Sequence, residues 1–258
     1  IQRKDCMKRI FGLLALVAVL TTPAFALAAE QIGVYVAPKF VYGYTMMDFK
    51  AKDYDSNTGV GNSFSLGDKH DHAWGGALAI GYDFDKRFNI PIRAELEYSI
   101  FSQVEADKTR MAPHETDWRE GFTQKFDIQT LFLNAYWDID TGTAFTPYVG
   151  AGLGMAFIDT KYNCWGEDIN DPANDWVRSS TGSKSRTNFA WNVGAGLGYD
   201  FNEYVTLDLG YRFVSLGNVK TGRGQQVDTG TAVPGMYDYG HSKNLYMHQV
   251  MAGLRITF

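Results

Sequence analysis

Apolar and polar residues alternate along most of this chain with period two, most cleanly at its end. Tyr246, His248, Val250, Ala252, Leu254, Ile256 and Phe258 form one face, and Met247, Gln249, Met251, Gly253, Arg255 and Thr257 the other. Alternation of this kind places the two sets on opposite sides of a β-strand. The pattern recurs upstream. Val205, Leu207, Leu209, Tyr211 and Phe213 alternate with Thr206, Asp208, Gly210 and Arg212. Ile92, Ala94, Leu96, Tyr98 and Ile100 alternate with Arg93, Glu95, Glu97 and Ser99, and Val34, Val36, Pro38, Phe40 and Tyr42 with Tyr35, Ala37, Lys39 and Val41. Three further segments pair an apolar face with a face of glycine and alanine: Trp74 to Phe84, Val149 to Phe157 and Trp191 to Phe201. Residues 122–139 are less regular. There Leu131, Leu133, Ala135, Trp137 and Ile139 share one face with Gln129, and Phe132 falls among Thr130, Asn134, Tyr136 and Asp138 on the other.

This reading predicts strands over 31–49, 73–85, 90–104, 122–139, 146–161, 186–201, 204–216 and 244–258. Each exceeds the ~9–11 residues that a tilted strand needs to cross a bilayer. The connections alternate in length: 85–89, 140–145 and 202–203 are short, whereas 50–72, 105–121, 162–185 and 217–243 are long. An even strand count with alternating short turns and long loops predicts an all-β fold, an eight-stranded antiparallel transmembrane β-barrel with short periplasmic turns and four long extracellular loops. Both termini then lie on the periplasmic side, the apolar faces meet lipid and the polar faces meet the lumen. The sequence Gly81-Tyr82-Asp83-Phe84 recurs as Gly198-Tyr199-Asp200-Phe201, each time before a short turn. Its aromatic pair suits the periplasmic interface.

The N-terminus does not share the alternation. Basic Met7-Lys8-Arg9 precedes an apolar run over 10–20, then Thr21, Thr22 and Pro23, then small residues around Ala26, Ala28 and Ala29. This predicts a secretory signal peptide over 1–28, cut after Ala28, with residues 1–6 as upstream sequence and Met7 as the start. The expected mature unit, 29–258, is one barrel domain with no appended periplasmic domain.

Charge and cysteine content fit export. The whole chain carries −5 and the expected signal segment +3, leaving −8 on the mature chain. That balance argues against a nucleic-acid partner. Cys6 falls before the signal core, which leaves Cys164 without an intrachain disulfide partner.

The hairpins ending in Gly-Tyr-Asp-Phe, the run Leu133-Asn134-Ala135-Tyr136-Trp137-Asp138 and the terminal Gly253-Leu254-Arg255-Ile256-Thr257-Phe258 resemble the opacity-protein and surface-antigen group. These are small "porin family" barrels similar to the OmpA transmembrane domain. The resemblance spans nearly the whole mature chain. It implies a Gram-negative outer-membrane location and contact with outer-membrane lipid and lipopolysaccharide. It also implies a terminal strand whose Phe258 is read by the barrel-assembly machinery, and a monomer whose loops meet an extracellular ligand or host surface.

Four constellations bear on chemistry. Lys39, Arg93, Glu95, Glu97, Asp208, Arg212 and Arg255 all point inward, and buried charges require partners. They predict an ion-pair network that either fills the lumen or lines a narrow channel for ions or small solutes. The inward glycines and alanines leave room for the second reading. His70-Asp71-His72 and the group Glu167, Asp168, Asp171 and Asp175 are acidic or imidazole-rich but lack a metal-ligand spacing. No metal or cofactor is expected. His241-Ser242 lies at the outer rim, where lipid A-modifying barrels place catalytic groups. Its spacing departs from the deacylase pattern, and adjacent strand residues point to opposite faces, so no enzyme is expected. Finally, Trp118, Trp165, Trp176, Tyr237 and Tyr239 stand in polar loops, where aromatics either bind partners or cover the barrel mouth.

Overall fold

A computed structural model describes residues 32–55, 60–111, 117–171, 176–180, 184–220, 224–228 and 231–258. The strands are β1 Val34–Asp55, β2 Val60–Asp83, β3 Ile92–Phe101, β4 Val104–Met111, β5 Trp118–Asp138, β6 Phe145–Asp168, β7 Trp176–Ser180, β8 Lys184–Asp200, β9 Val205–Lys220, β10 Gly224–Asp228 and β11 Thr231–Thr257. One helical turn, α1 Asp85–Phe88, sits between β2 and β3. No helix among the described residues is long and apolar enough to cross a membrane; the crossing is made by strands.

All pairings are antiparallel, and β1 closes on β11 from Tyr35↔Thr257 to Asp55↔Met236. The ring β1-β2-β3-β5-β6-β8-β9-β11 is an eight-stranded barrel, as the alternation predicts. Closure removes the sheet edges that hydrocarbon would leave unsatisfied. Burial follows the predicted faces: on β3, Arg93, Glu95, Glu97, Ser99 and Phe101 are buried, whereas Leu96 is 53% exposed to the outside. Phe132 is fully buried inside, and Leu133 beside it faces outward.

The three further strands continue the wall upward. β4 follows β3 after Ser102 and Gln103 and pairs with β5 from Val104↔Phe126 to Met111↔Arg119. β7 and β10 pair with each other, and bridge β6 to β11 above the β8–β9 hairpin. Between β2 and β4, among the described residues, no backbone ladder forms above Gly75↔Phe101. Instead the Asp71 carboxylate accepts the Glu105 N–H at 2.7 Å.

The expected long loops are therefore corrected. The segment 50–72 is largely a β1–β2 hairpin paired as far as Asp55↔Val60. β6 runs to Asp168 and β11 starts at Thr231, well inside the expected loops 162–185 and 217–243. The lipid-facing alternation stops where lipid stops, because the outer face of the extension no longer meets hydrocarbon, yet the ladders continue. β6 has 24 residues. At ~3.3 Å per residue that is ~80 Å of strand, or roughly 60 Å of height at a barrel tilt of about 40°. The apolar band needs only ~25 Å.

Aromatic pairs mark the two interfaces. At the periplasmic end, Tyr82–Phe84 and Tyr199–Phe201 each form an edge-to-face pair, with centroids 4.8 and 5.2 Å apart. The repeated tetrapeptide thus makes the same aromatic step in two hairpins. At the outer interface stand Tyr42, Trp74, Trp191, Phe213 and Tyr246.

Candidate functional site: the filled lumen and the outer extension

The lumen has two sections. Inward positions on β9 read Thr206, Asp208, Gly210, Arg212, Val214 and Leu216 from the periplasmic end upward. On β3 and β4 they read Arg93, Glu95, Glu97, Ser99 and Phe101, then Val104 and Ala106. Charge therefore occupies the periplasmic section, and uncharged side chains the outer one, apolar but for the buried Thr45, Gln124, Thr130 and Thr160.

In the lower section the Lys39 ammonium meets Glu95 Oε1 at 2.5 Å and Glu97 Oε2 at 2.8 Å. Arg212 Nη2 reaches the other Glu97 oxygen at 2.6 Å, while its Nε donates to Gln249 Oε1, also at 2.6 Å. Ser99 adds a third donor to Glu97 at 3.0 Å. Glu95 accepts from the hydroxyls of Tyr35 and Tyr136 at 3.2 and 3.3 Å. Arg93 forms a two-pronged pair with Asp138, at 2.6 and 2.9 Å, and approaches Asp208 at 3.8 Å. Its guanidinium lies 4.9 Å from the ring centroids of both Tyr136 and Tyr148, and the Tyr148 hydroxyl donates to Asp208. Arg255 stands apart from these pairs. It lies over the Tyr35 ring at 5.7 Å and lines the periplasmic mouth with Asp83, Asp138 and Asp200. Four cations, Lys39, Arg93, Arg212 and Arg255, thus share the section with four carboxylates, Glu95, Glu97, Asp138 and Asp208.

All seven inward charges named from the sequence face this lumen. The sequence reading placed Asp138 inside but not among the network charges, and its inward parity was the available signal. It also gave no role to Tyr35, Tyr136, Tyr148 or Gln249. The room attributed to inward glycines is occupied. A Cβ at Gly81 would collide with the Tyr35 ring, at Gly150 with Tyr136, and at Gly196 with Tyr148. Each glycine lets a neighbouring tyrosine lie flat across the wall and reach a carboxylate.

Above this, Phe101, Val104, Phe126, Ile128, Phe132, Ile158, Val214, Leu216, Val219, Leu245 and Met247 form one continuous apolar cluster, each at most 4% exposed. Arg212 packs against its floor, 5.5 Å from the Phe132 centroid. The sequence reading did not anticipate this plug. Its residues continue the inward parity into segments where the opposite face no longer reads as lipid-facing.

The other candidate groups are separated or committed elsewhere. Asp71 accepts from the backbone of His72 and Glu105, while His70 and His72 lie on the outside against Tyr44. Asp168 caps the turn at Asn170 and Asp171, and Glu167 pairs with Arg119 at 3.5 Å; Asp175 lies outside the described residues. Trp165 lies over Gly121 on the neighbouring strand, a local packing role. The side chains of Trp118, Cys164, Trp176, Tyr237, Tyr239, His241 and Ser242 lie outside the described part, as do residues 1–31 with the expected cleavage at Ala28. Phe258 is pinned to the first strand. Its N–H donates to Val34 at 2.8 Å, and its carbonyl accepts from Ile32 at 3.0 Å.

Comparison with known proteins agrees with this architecture. The outer membrane protein PagN of Salmonella typhimurium is 28% identical over 222 residues, which cover 83% of this chain and 86% of that protein. A candidate adhesin of Rickettsia conorii is 26% identical over 212 residues, covering 81% of this chain and 73% of its own. Neisserial surface protein A aligns in structure over 88% of this chain and 97% of its own, with 21% identity and a TM-score of 0.46. The profile of the outer membrane protein beta-barrel domain matches residues 12–235. The chain belongs to that family, and is a surface β-barrel of the Gram-negative outer membrane.

Proposed function

We propose that the protein is an interaction barrel of the opacity type. It holds an extracellular strand extension above the membrane to contact a ligand on a host or other external surface, and it neither conducts solute nor catalyses a reaction. The carrying observation is the coincidence of a filled lumen with an extended outer wall. The apolar cluster from Phe101 to Met247 occupies the lumen above the charges, while β1, β2, β5, β6 and β11 each continue far beyond the length a bilayer requires. The adhesin description of a relative supports this reading. A channel would instead need a polar route past Phe126 and Ile158.

The test uses cells of a non-adherent bacterium displaying the protein. Adhesion to epithelial monolayers should appear with the full chain and fall at least several-fold when residues 221–230 are replaced by a short glycine-serine turn. Heat-modifiable migration should be retained. Unchanged adhesion, or stable conductance steps from refolded protein in planar bilayers, would overturn the reading. Residues 1–28 then act as the export signal, which N-terminal sequencing of the membrane-extracted protein checks by a start at Ala29. Phe258 acts as an assembly signal, so its deletion should slow insertion without altering the finished barrel.

A further inference from the structure

The outer surface of the barrel is asymmetric at the level where the apolar band ends. Across β9, β11, β1 and β2 the ladders align Phe213, His248, Tyr44 and His72 in one row. The row above holds Tyr246, Met46 and His70, and the row below Tyr211, Val250, Tyr42 and Trp74. Three of the chain's five histidines therefore lie on one outward patch four strands wide.

Two of them sit in the same arrangement. The Tyr42 hydroxyl meets His72 Nδ1 at 2.5 Å with the rings 18° from parallel, and the Tyr211 hydroxyl meets His248 Nδ1 at 2.6 Å with the rings 28° from parallel. In each pair tyrosine orients the imidazole through Nδ1. With the tyrosine hydroxyl donating to Nδ1, the imidazole proton stands on Nε2, which can then donate into the headgroup layer. The two imidazoles flank β1 on neighbouring strands, about 10 Å apart at ~4.8 Å per strand. That is a span of a disaccharide headgroup.

The opposite wall differs. There the outward positions of β5 and β6 pass from Gln129 and Phe157 to Asp127 and Asp159 and then to Lys125 and Lys161, and Lys125 pairs with Glu105 at 2.8 Å. Carboxylates there repel a phosphate, whereas none stands in the three histidine rows. The nearest outward charges on that side are Asp48 and Asp68, one step higher, and Lys50 a further step up and 3.4 Å from Asp48. An aromatic girdle alone calls for tyrosine and tryptophan; it gives no reason for paired, oriented imidazoles.

We propose that the Tyr42–His72 and Tyr211–His248 pairs form a headgroup subsite for a phosphorylated glycolipid of the outer leaflet. Each Nε2–H donates to one phosphate, while the apolar face below carries the acyl chains. The site belongs to the membrane-embedded wall and is separate from the ligand-facing extension.

The test is lipid retention by refolded protein through detergent exchange, read by native mass spectrometry. Wild-type protein should keep bis-phosphorylated lipid A at least several-fold better than the same lipid A with both phosphates removed. The H72F/H248F variant keeps the aromatic girdle and loses the donors, so its retention should fall to the dephosphorylated level. H72Q/H248Q should recover much of the difference, because a glutamine amide places an N–H near the Nε2 position. K161A, on the opposite wall, should retain lipid like wild type. Equal retention of the two lipids, an H72F/H248F variant indistinguishable from wild type, or a K161A loss as large as that of H72F/H248F would each overturn the proposal. So would displacement of the lipid by millimolar inorganic phosphate, which would mark a bare anion site. Heat-modifiable migration checks folding, and retention by the glutamine variant keeps the test decisive if the phenylalanine variant does not fold.

Discussion

The two sections of the lumen solve the same packing problem with opposite chemistry. Below, ~4.8 Å-spaced strands enclose a space crossed by Lys39, Arg93, Glu97, Arg212 and three tyrosines, each held by directional bonds. Above, the same wall encloses Phe126, Ile158 and Leu216, held by contact, and Met247, whose sulfur also accepts from Gln249 Nε2 at 3.0 Å. An eight-stranded barrel is just wide enough to be filled by side chains, so both sections are solid. They differ in how they fail. Losing one member of the charged section strands its partners in a dry interior, whereas losing one member of the apolar section leaves a local cavity.

Substitutions can break or sharpen that contrast. The largest effect is expected from Glu97→Ala, because Glu97 faces both Lys39 and Arg212. Its removal leaves two buried cations and should cost about 3–5 kcal/mol in urea unfolding followed by tryptophan fluorescence in micelles. Adding Lys39→Met, Arg212→Met and Glu95→Gln to Glu97→Leu should recover most of that loss, since Glu95 is the other carboxylate that Lys39 neutralises and no unpaired charge then remains. No recovery would mean that the section is held by shape rather than by charge pairing. Ile158→Ala in the outer section should cost about 2–5 kcal/mol, and adding Lys39→Met with Arg212→Met should leave that cost unchanged. Outside, Leu209→Arg places charge on the lipid face near the midplane and should cost about 2–4 kcal/mol, read by the same unfolding measurement in lipid vesicles. The smallest effect belongs to Lys125→Ala. Its pair with Glu105 is half exposed, and its loss should cost below about 1 kcal/mol and shrink further in salt.

The wall was legible because a membrane barrel needs alternating faces, and alternation survives in sequence even where mean hydropathy is −0.24. The inward charges were legible for the same reason: Arg93, Glu95 and Glu97 share a parity. Their pairing was not. Glu97 and Arg212 are 115 residues apart, and strand alternation carries no distance between opposite walls. Asp138 shows the same limit, since its inward parity was plain but its role as the two-pronged partner of Arg93 depends on the β3–β5 register. The extension was misread as loop because the hydrophobic contrast that signals a membrane strand vanishes where the outer face leaves the lipid. The histidines show the same limit. His70, Asp71 and His72 looked like one group in the chain, but adjacent strand residues face opposite ways, so two went to the outer surface and one to the seam.

The sequence by itself determined the number of barrel strands, the sidedness of every membrane strand and the aromatic step in the two short hairpins. These follow from local alternation and turn length. Only the tertiary structure decided that the lumen is filled by two chemically distinct sections, that the wall rises far beyond the membrane, and that two tyrosine–histidine pairs meet on one outer face. Each of those depends on how barrel closure and register bring distant strands side by side, and a pattern of period two within a strand holds no record of its neighbours.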